Sequence, residues 1–159
     1  MKATVILLLL CCAVLAACSK ESETNSTQTE KVTKESGNHH PTKLIIERKG
    51  KLQSVTNQPP AQYDEEDVKL VKQIYESLFH FEVVPKDAII HCPIDYGISY
   101  DLVFYDNEQQ ILFANVEAGG CQFLHQGKAA YRTDDAFWKL MQEATEMNKA
   151  QLWGAPGSF

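Results

Sequence analysis

The sequence has little of what marks the common catalytic and nucleic-acid-binding classes. Its 159 residues contain no Gly-x-Ser-x-Gly, no His-Glu-x-x-His, no Walker loop and no dinucleotide fingerprint. No Cys-x-x-Cys is present either, which removes the usual signature of a thiol-disulfide enzyme. Basic residues are outnumbered, 15 to 21, giving a formal charge of −6. With no cluster of Lys and Arg interleaved with aromatics, the chain is a poor candidate for nucleic-acid binding, and no nucleic-acid partner is expected. The same acidity argues against electrostatic adhesion to anionic lipid. No internal repeat is found, and no apolar run long enough to span a membrane follows the first 17 residues.

What is present begins at the amino terminus. Lys2 is the only charge before Lys20, and between them runs Val5-Ile6-Leu7-Leu8-Leu9-Leu10-Cys11-Cys12-Ala13-Val14. That run falls short of the roughly 20 residues a spanning helix needs, and suits the apolar region of a signal peptide. It closes on Leu15-Ala16-Ala17-Cys18, which resembles the lipobox of bacterial lipoproteins in all four positions. The resemblance implies cleavage between Ala17 and Cys18 by a dedicated signal peptidase, and a diacylglyceryl group on the Cys18 thiol. It covers only the first eighteen or so residues and says nothing of the rest. An ordinary secretory cut after Ala17 is the alternative, since it needs the same small side chains.

The residues that follow favour lipidation. From Ser19 to Pro41 the chain is almost wholly polar, with Val32 its only aliphatic side chain. Such a segment has too little apolar surface to offset the entropy of ordering it. Residues 18–41 are therefore expected to be a disordered tether. A random chain of about 23 residues reaches roughly 25 to 30 Å. Two acyl chains suffice for stable attachment where one is marginal. The expected location is the extracytoplasmic face of a cell membrane. Where there is an outer membrane, Ser19 is not the Asp that retains enterobacterial lipoproteins at the inner one.

Removing residues 1–17 takes away Lys2 and moves the charge from −6 to −7. Residues 42–159 remain for one domain, too few for two. Lys43-Leu44-Ile45-Ile46-Glu47-Arg48 reads as a strand ending at Lys49-Gly50-Lys51, and residues 51–62 as an irregular connection. Asp64 is placed as the cap of a helix over 64–79, whose apolar face is Val68, Val71, Tyr75, Leu78 and Phe79, widened by Leu70 and Ile74. From Ala88 to Tyr131 the period changes to two. Ile98, Tyr100, Leu102 and Phe104 alternate with polar or outward positions. A turn at Asp106–Gln109 leads into Ile111–Val116, making a hairpin. Gln122–His125 and Ala129–Tyr131 are read as further strands about Gln126-Gly127. Thr133 or Asp134 caps a last helix bearing Phe137, Leu140, Met141, Ala144 and Met147. Trp138 is expected to be partly exposed, and the tail from Trp153 non-helical. The order β-α-β-β-β-α predicts an α+β fold: two layers, an antiparallel sheet with both helices on one face.

Assigning Cys18 to lipid leaves Cys92 and Cys121 as a pair in a compartment where disulfides persist. If Tyr105 faces Gln110, Cys121 falls opposite Ile94, one diagonal step from Cys92. A bulge within Pro93–Gly97 then brings the two together. A loop of about 30 residues makes such a bridge worth roughly 3.5 kcal/mol. The competing reading is a metal site from His91, Cys92, Cys121 and His125. On an extended strand, however, Cys121 and His125 lie about 13 Å apart, while zinc needs all its ligands about 2 Å from one point. A redox-active pair is the other alternative.

The remaining candidates have plain structural readings. His39-His40 is a solvated pair, Asp134-Asp135 a helix start, and Gly119-Gly120 a bulge or turn rather than an anion cradle. No metal or other cofactor is expected. Three functions from different classes stay open: a non-catalytic binding module, the leading expectation; an envelope hydrolase using Asp95, His91 or Asp101; and a thiol- or metal-handling protein.

Overall fold

The computed structural model describes residues 39–52 and 58–158. The expected signal peptide, Cys18 and almost all of the tether lie outside the described residues. Seven strands form one antiparallel sheet: β1 (Lys43–Lys49), β2 (Gln62–Glu65), β3 (Glu82–Val83), β4 (Ser99–Asp106), β5 (Gln109–Glu117), β6 (Phe123–Gln126) and β7 (Ala129–Arg132). Their order across the sheet is β2-β1-β4-β5-β6-β7-β3. Helices α1 (Val68–Ser77) and α2 (Asp135–Thr145), and a short α3 (Lys149–Leu152), complete the α+β fold.

Alternation decides which face is covered. Leu44 and Ile46 of β1, Tyr100, Leu102 and Phe104 of β4, and Ala114 and Val116 of β5 point inward and are buried. Leu70, Val71, Ile74 and Tyr75 of α1 meet them, as do Phe137, Trp138 and Met141 of α2. The Tyr75 ring stands edge-on to Phe104 at 5.3 Å. The opposite face, which none of the described helices covers, carries Glu47, Lys49, Ser99, Asp101, Asn115, Glu117 and His125, with Ile45, Val103 and Phe113 as one apolar row among them. A two-layer domain needs only one apolar face per strand, and the sequence alternates accordingly except in the row Ile45, Val103 and Phe113.

The hairpin β4–β5 holds the expected Tyr105–Gln110 rung, but the register then shifts, and Phe104 pairs with Leu112. Ile111 is the extra residue of a bulge. The shift sets Leu112, Ala114 and Val116 opposite Phe104, Leu102 and Tyr100, so the inward positions of the two strands coincide. The turn is also tighter than expected. Only Asn107 and Glu108 lie between the strands, and Asn107 takes the positive φ of 55° that two-residue hairpin loops require.

Several boundaries differ from the expectation. The first helix is capped by Asp67, not Asp64; its carboxylate accepts from the Lys69 and Leu70 amides at 2.8 and 3.3 Å. Asp64 lies in β2, where Tyr63 turns toward the core while Lys43 bridges Asp64 at 2.9 Å and Glu66 at 3.1 Å. Pairing against β1 thus outcompetes an earlier helix start. Trp138 is fully buried, 1 % exposed, because its indole N–H has a partner: it donates to Thr133 Oγ1 at 3.0 Å. Asp134 caps α2 by accepting from the Phe137 amide at 2.8 Å. The tail is non-helical from Trp153, but α3 precedes it with an Asn148–Gln151 capping box. Leu152 is buried, and its carbonyl accepts from Tyr100 Oη at 3.0 Å.

The largest correction concerns residues 84–98. They belong to no strand, although the alternation was expected to begin at Ala88. Pro85 and Pro93 cannot donate to a ladder, and the segment between them lies outside the sheet.

Candidate functional site: the disulfide-tied arm

Leaving β3 at one edge of the sheet, the chain must return to β4 near its centre. Residues 84–97 make that passage as an arm across one end of the sheet. At its start the Val84 amide donates to the Ala130 carbonyl at 2.8 Å, and at its far end the Gly120 amide donates to the Ile94 carbonyl at 3.4 Å. Between these points a disulfide joins Cys92 to Cys121, with Cα atoms 4.8 Å apart.

The offset expected between Pro93 and Gly97 is there, as an Asx turn. Ala118 bonds back to Ile98, and Gly120 to Ile94, so the arm carries two extra residues over this stretch. The Asp95 carboxylate closes the turn by accepting from the Gly97 amide at 2.8 Å, and Gly97 takes a φ of 72°. The same carboxylate explains Gly119-Gly120. A Cβ at Gly119 would lie 2.8 Å from Asp95 Oδ1. The glycines let two backbones approach, and the crevice an anion would need is filled by an anionic side chain.

The arm displays apolar surface. Ile89 is 89 % and Ile94 76 % exposed, and Val83 at the root of the arm is 55 % exposed. Scattered exposed apolar residues are ordinary, but these three fall within one short segment, residues 83–94. Beside it a cleft of about 260 Å³ is walled by Val84, Pro85, Ala88 and Ile90, with Glu82 and Arg132 at its rim. Sequence reasoning missed this surface because Ala88-Ile89-Ile90 has the composition of a buried strand.

The residues considered for hydrolysis are not gathered into one site. Asp101 lies on the uncovered sheet face, where Asn115 Nδ2 donates to it at 2.7 Å and Lys49 Nζ sits at 3.2 Å. Hydrogen bonds to Glu47 first, and to Asp101 second, raise the Lys49 pKa above its usual value. Asp95 is engaged in its turn, and His91 is exposed on the arm. Of the four considered metal ligands, Cys92, Cys121 and His125 are committed elsewhere. The two cysteines are bonded to each other, and His125 Nε2 lies 2.9 Å from Glu117 Oε1. Among the described residues no cluster of three or more His, Cys, Asp or Glu has the arrangement to hold a metal.

One residue passed over in the sequence is unusual. Arg48 follows the inward alternation of Leu44 and Ile46 and is only 7 % exposed. Its Nη2 donates to the Pro59 carbonyl at 3.2 Å, while Nε and Nη1 have no hydrogen-bond partner. Burial raises the pKa of Tyr100, its cross-strand neighbour, and the Arg48 charge partly offsets that rise. The inward period was legible; the charge at an inward position should have drawn notice.

Compared with protein-family models, curated proteins and solved structures, the chain matches none of them.

Proposed function

We propose that this protein is an exported lipoprotein, held through acyl chains on Cys18, whose domain is a non-catalytic binding module. The anchor rests on Leu15-Ala16-Ala17-Cys18 and on the polar stretch behind it. The binding role rests on one observation, the exposure of Ile89 and Ile94 on an arm fixed by a disulfide. An apolar surface shown to water is a poor use of a small domain unless something covers it. Fixing the arm before the encounter lowers the entropy lost on binding. A hydrolase reading has less support, because Asp95 and Asp101 are engaged in structural hydrogen bonds.

The tether enters at Thr42, where β1 begins, and the arm lies at the other end of that strand, beside Ser99 and Gly97. Seven residues of strand separate the two ends, about 20 Å. Two measurements test the whole reading. Fatty-acid labelling in cells should be lost in Cys18→Ser, and labelling that persists contradicts the anchor. A photo-crosslinking side chain at position 89 or 94 should give a discrete adduct in the cell envelope, while one at position 107, in the hairpin turn, should not. Equal adducts from both ends, or none from the arm, contradict the binding role.

A further inference from the structure

We infer that the cleft between β3 and the arm receives an extended peptide segment of the partner, added as a strand along β3 with one apolar side chain in the cleft. This deepens the binding role proposed above and rests on it. The register carries the first part. Val84 and Ala130 form a hydrogen-bonded pair, so Glu82–Arg132 is one too, and Val83 lies between them in a non-bonded pair. The N–H and C=O of Val83 therefore point out of the sheet, away from β7. An edge of this kind is a template for one more strand.

The two edges of the sheet differ. The β2 edge reads Gln-Tyr-Asp-Glu and is flanked by the Lys43 ion pairs with Asp64 and Glu66. Charges in that arrangement discourage edge pairing. The β3 edge offers Glu82 and Val83, then continues into the apolar walls of the cleft.

Cleft size and charge define the occupant. At about 260 Å³ it falls below the roughly 300 Å³ where whole small-molecule sites begin. One large aliphatic or aromatic side chain is the better fit. Glu82 and Arg132 face each other in register across the rim without an ion pair among the described residues. The rim is net neutral, with one acceptor and one donor group. Such a rim suits the polar backbone of a peptide better than a free anion or a lipid headgroup. Binding should accordingly depend little on salt.

The test uses the exported domain with its disulfide intact and blocked heptapeptides of alternating Thr, whose central residue is Leu, Phe or Ser. Backbone amide NMR should show the Leu and Phe peptides shifting Val83, Val84, Ala88, Ile90 and Arg132, with affinity at least tenfold above that of the Ser peptide. Val83→Pro removes an N–H that the fold does not use, and proline is tolerated on an edge strand; affinity should fall about five- to tenfold. Ala88→Leu fills the cleft from an exposed position, and should abolish the difference between Leu and Ser peptides. The idea is overturned if no peptide shifts these residues, if both variants bind as the parent does, or if vesicles compete for the surface. If Ile89→Ser and Ile94→Ser lose the envelope adduct while Val83→Pro and Ala88→Leu keep it, the strand addition fails and the binding role stands. If all four keep it, both fail.

Discussion

The hairpin β4–β5 meets the arm 84–97 at its open end, beyond Ser99 and Glu117, yet the two are held by opposite means. In the hairpin most inward side chains are buried and the ladder runs almost its whole length, broken by one bulge, so order is spread over many weak contacts. The arm has no ladder; it relies on one covalent bond, one Asx turn and a few backbone hydrogen bonds near its ends. Order of the first kind is cooperative and shows less apolar surface, with Phe113 at 50 % the hairpin's one large exposed apolar side chain among the described residues. Order of the second kind leaves side chains free to face outward, and Ile89 and Ile94 on the arm are the most exposed large apolar residues among those described. Binding surfaces are commonly carried on segments of the second kind, positioned by a scaffold of the first.

The sharpest way to break the comparison is to weaken the hairpin. Phe104→Ala should cost about 3 to 5 kcal/mol, read as a lowered midpoint in urea with the whole domain unfolding together. Removing the bridge by Cys92→Ala with Cys121→Ala should cost roughly 3.5 kcal/mol by loop entropy. Unlike the hairpin change, it should also raise protease cutting within residues 86–91 of the folded protein. Gly119→Ala drives a methyl group against Asp95 and should cost about 1 to 3 kcal/mol; combining it with Asp95→Ala should recover part of that, a coupling measurable by a double-mutant cycle.

Two smaller effects sharpen the contrast. Lys43 holds the Asp64 carboxyl below its ordinary range, with Gln62 contributing. A depressed folded-state pKa gives stability that is present above the unfolded value, near 3.9, and is lost as pH falls through the folded value. Asp64→Asn should therefore flatten a shallow decline in stability below about pH 4, leaving neutral pH almost unchanged. At the bottom of the range, Ile89→Ser should alter stability by no more than about 0.5 kcal/mol, since the side chain it removes is already in water.

The difference between the regions also governs what the sequence could reveal. The hairpin was readable because alternation at Tyr100, Leu102 and Phe104 is a direct imprint of one-sided burial. The Cys92–Cys121 bridge was readable from parity once Cys18 was set aside. The bulge at Ile111 was not, because a one-residue shift leaves the local pattern of both strands intact. Strands β2 and β3 are too short to show a period, and Asp64-Glu65-Glu66-Asp67 looks like a helix start wherever the cap falls. The arm misled most. Ala88-Ile89-Ile90 has strand composition, and only Pro85 and Pro93 hinted that no ladder would form. Composition reports affinity for an apolar environment, but not whether that environment is the chain's own core or a partner's.

Amide hydrogen exchange of the oxidised and reduced protein tests the central claim most directly, because it reads both regions in one experiment. If the disulfide chiefly fixes a preformed binding arm, reduction should speed exchange many-fold at residues 86–92 and leave β4 and β5 protected. Exchange that rises in arm and hairpin together, or that does not change in the arm, would contradict it.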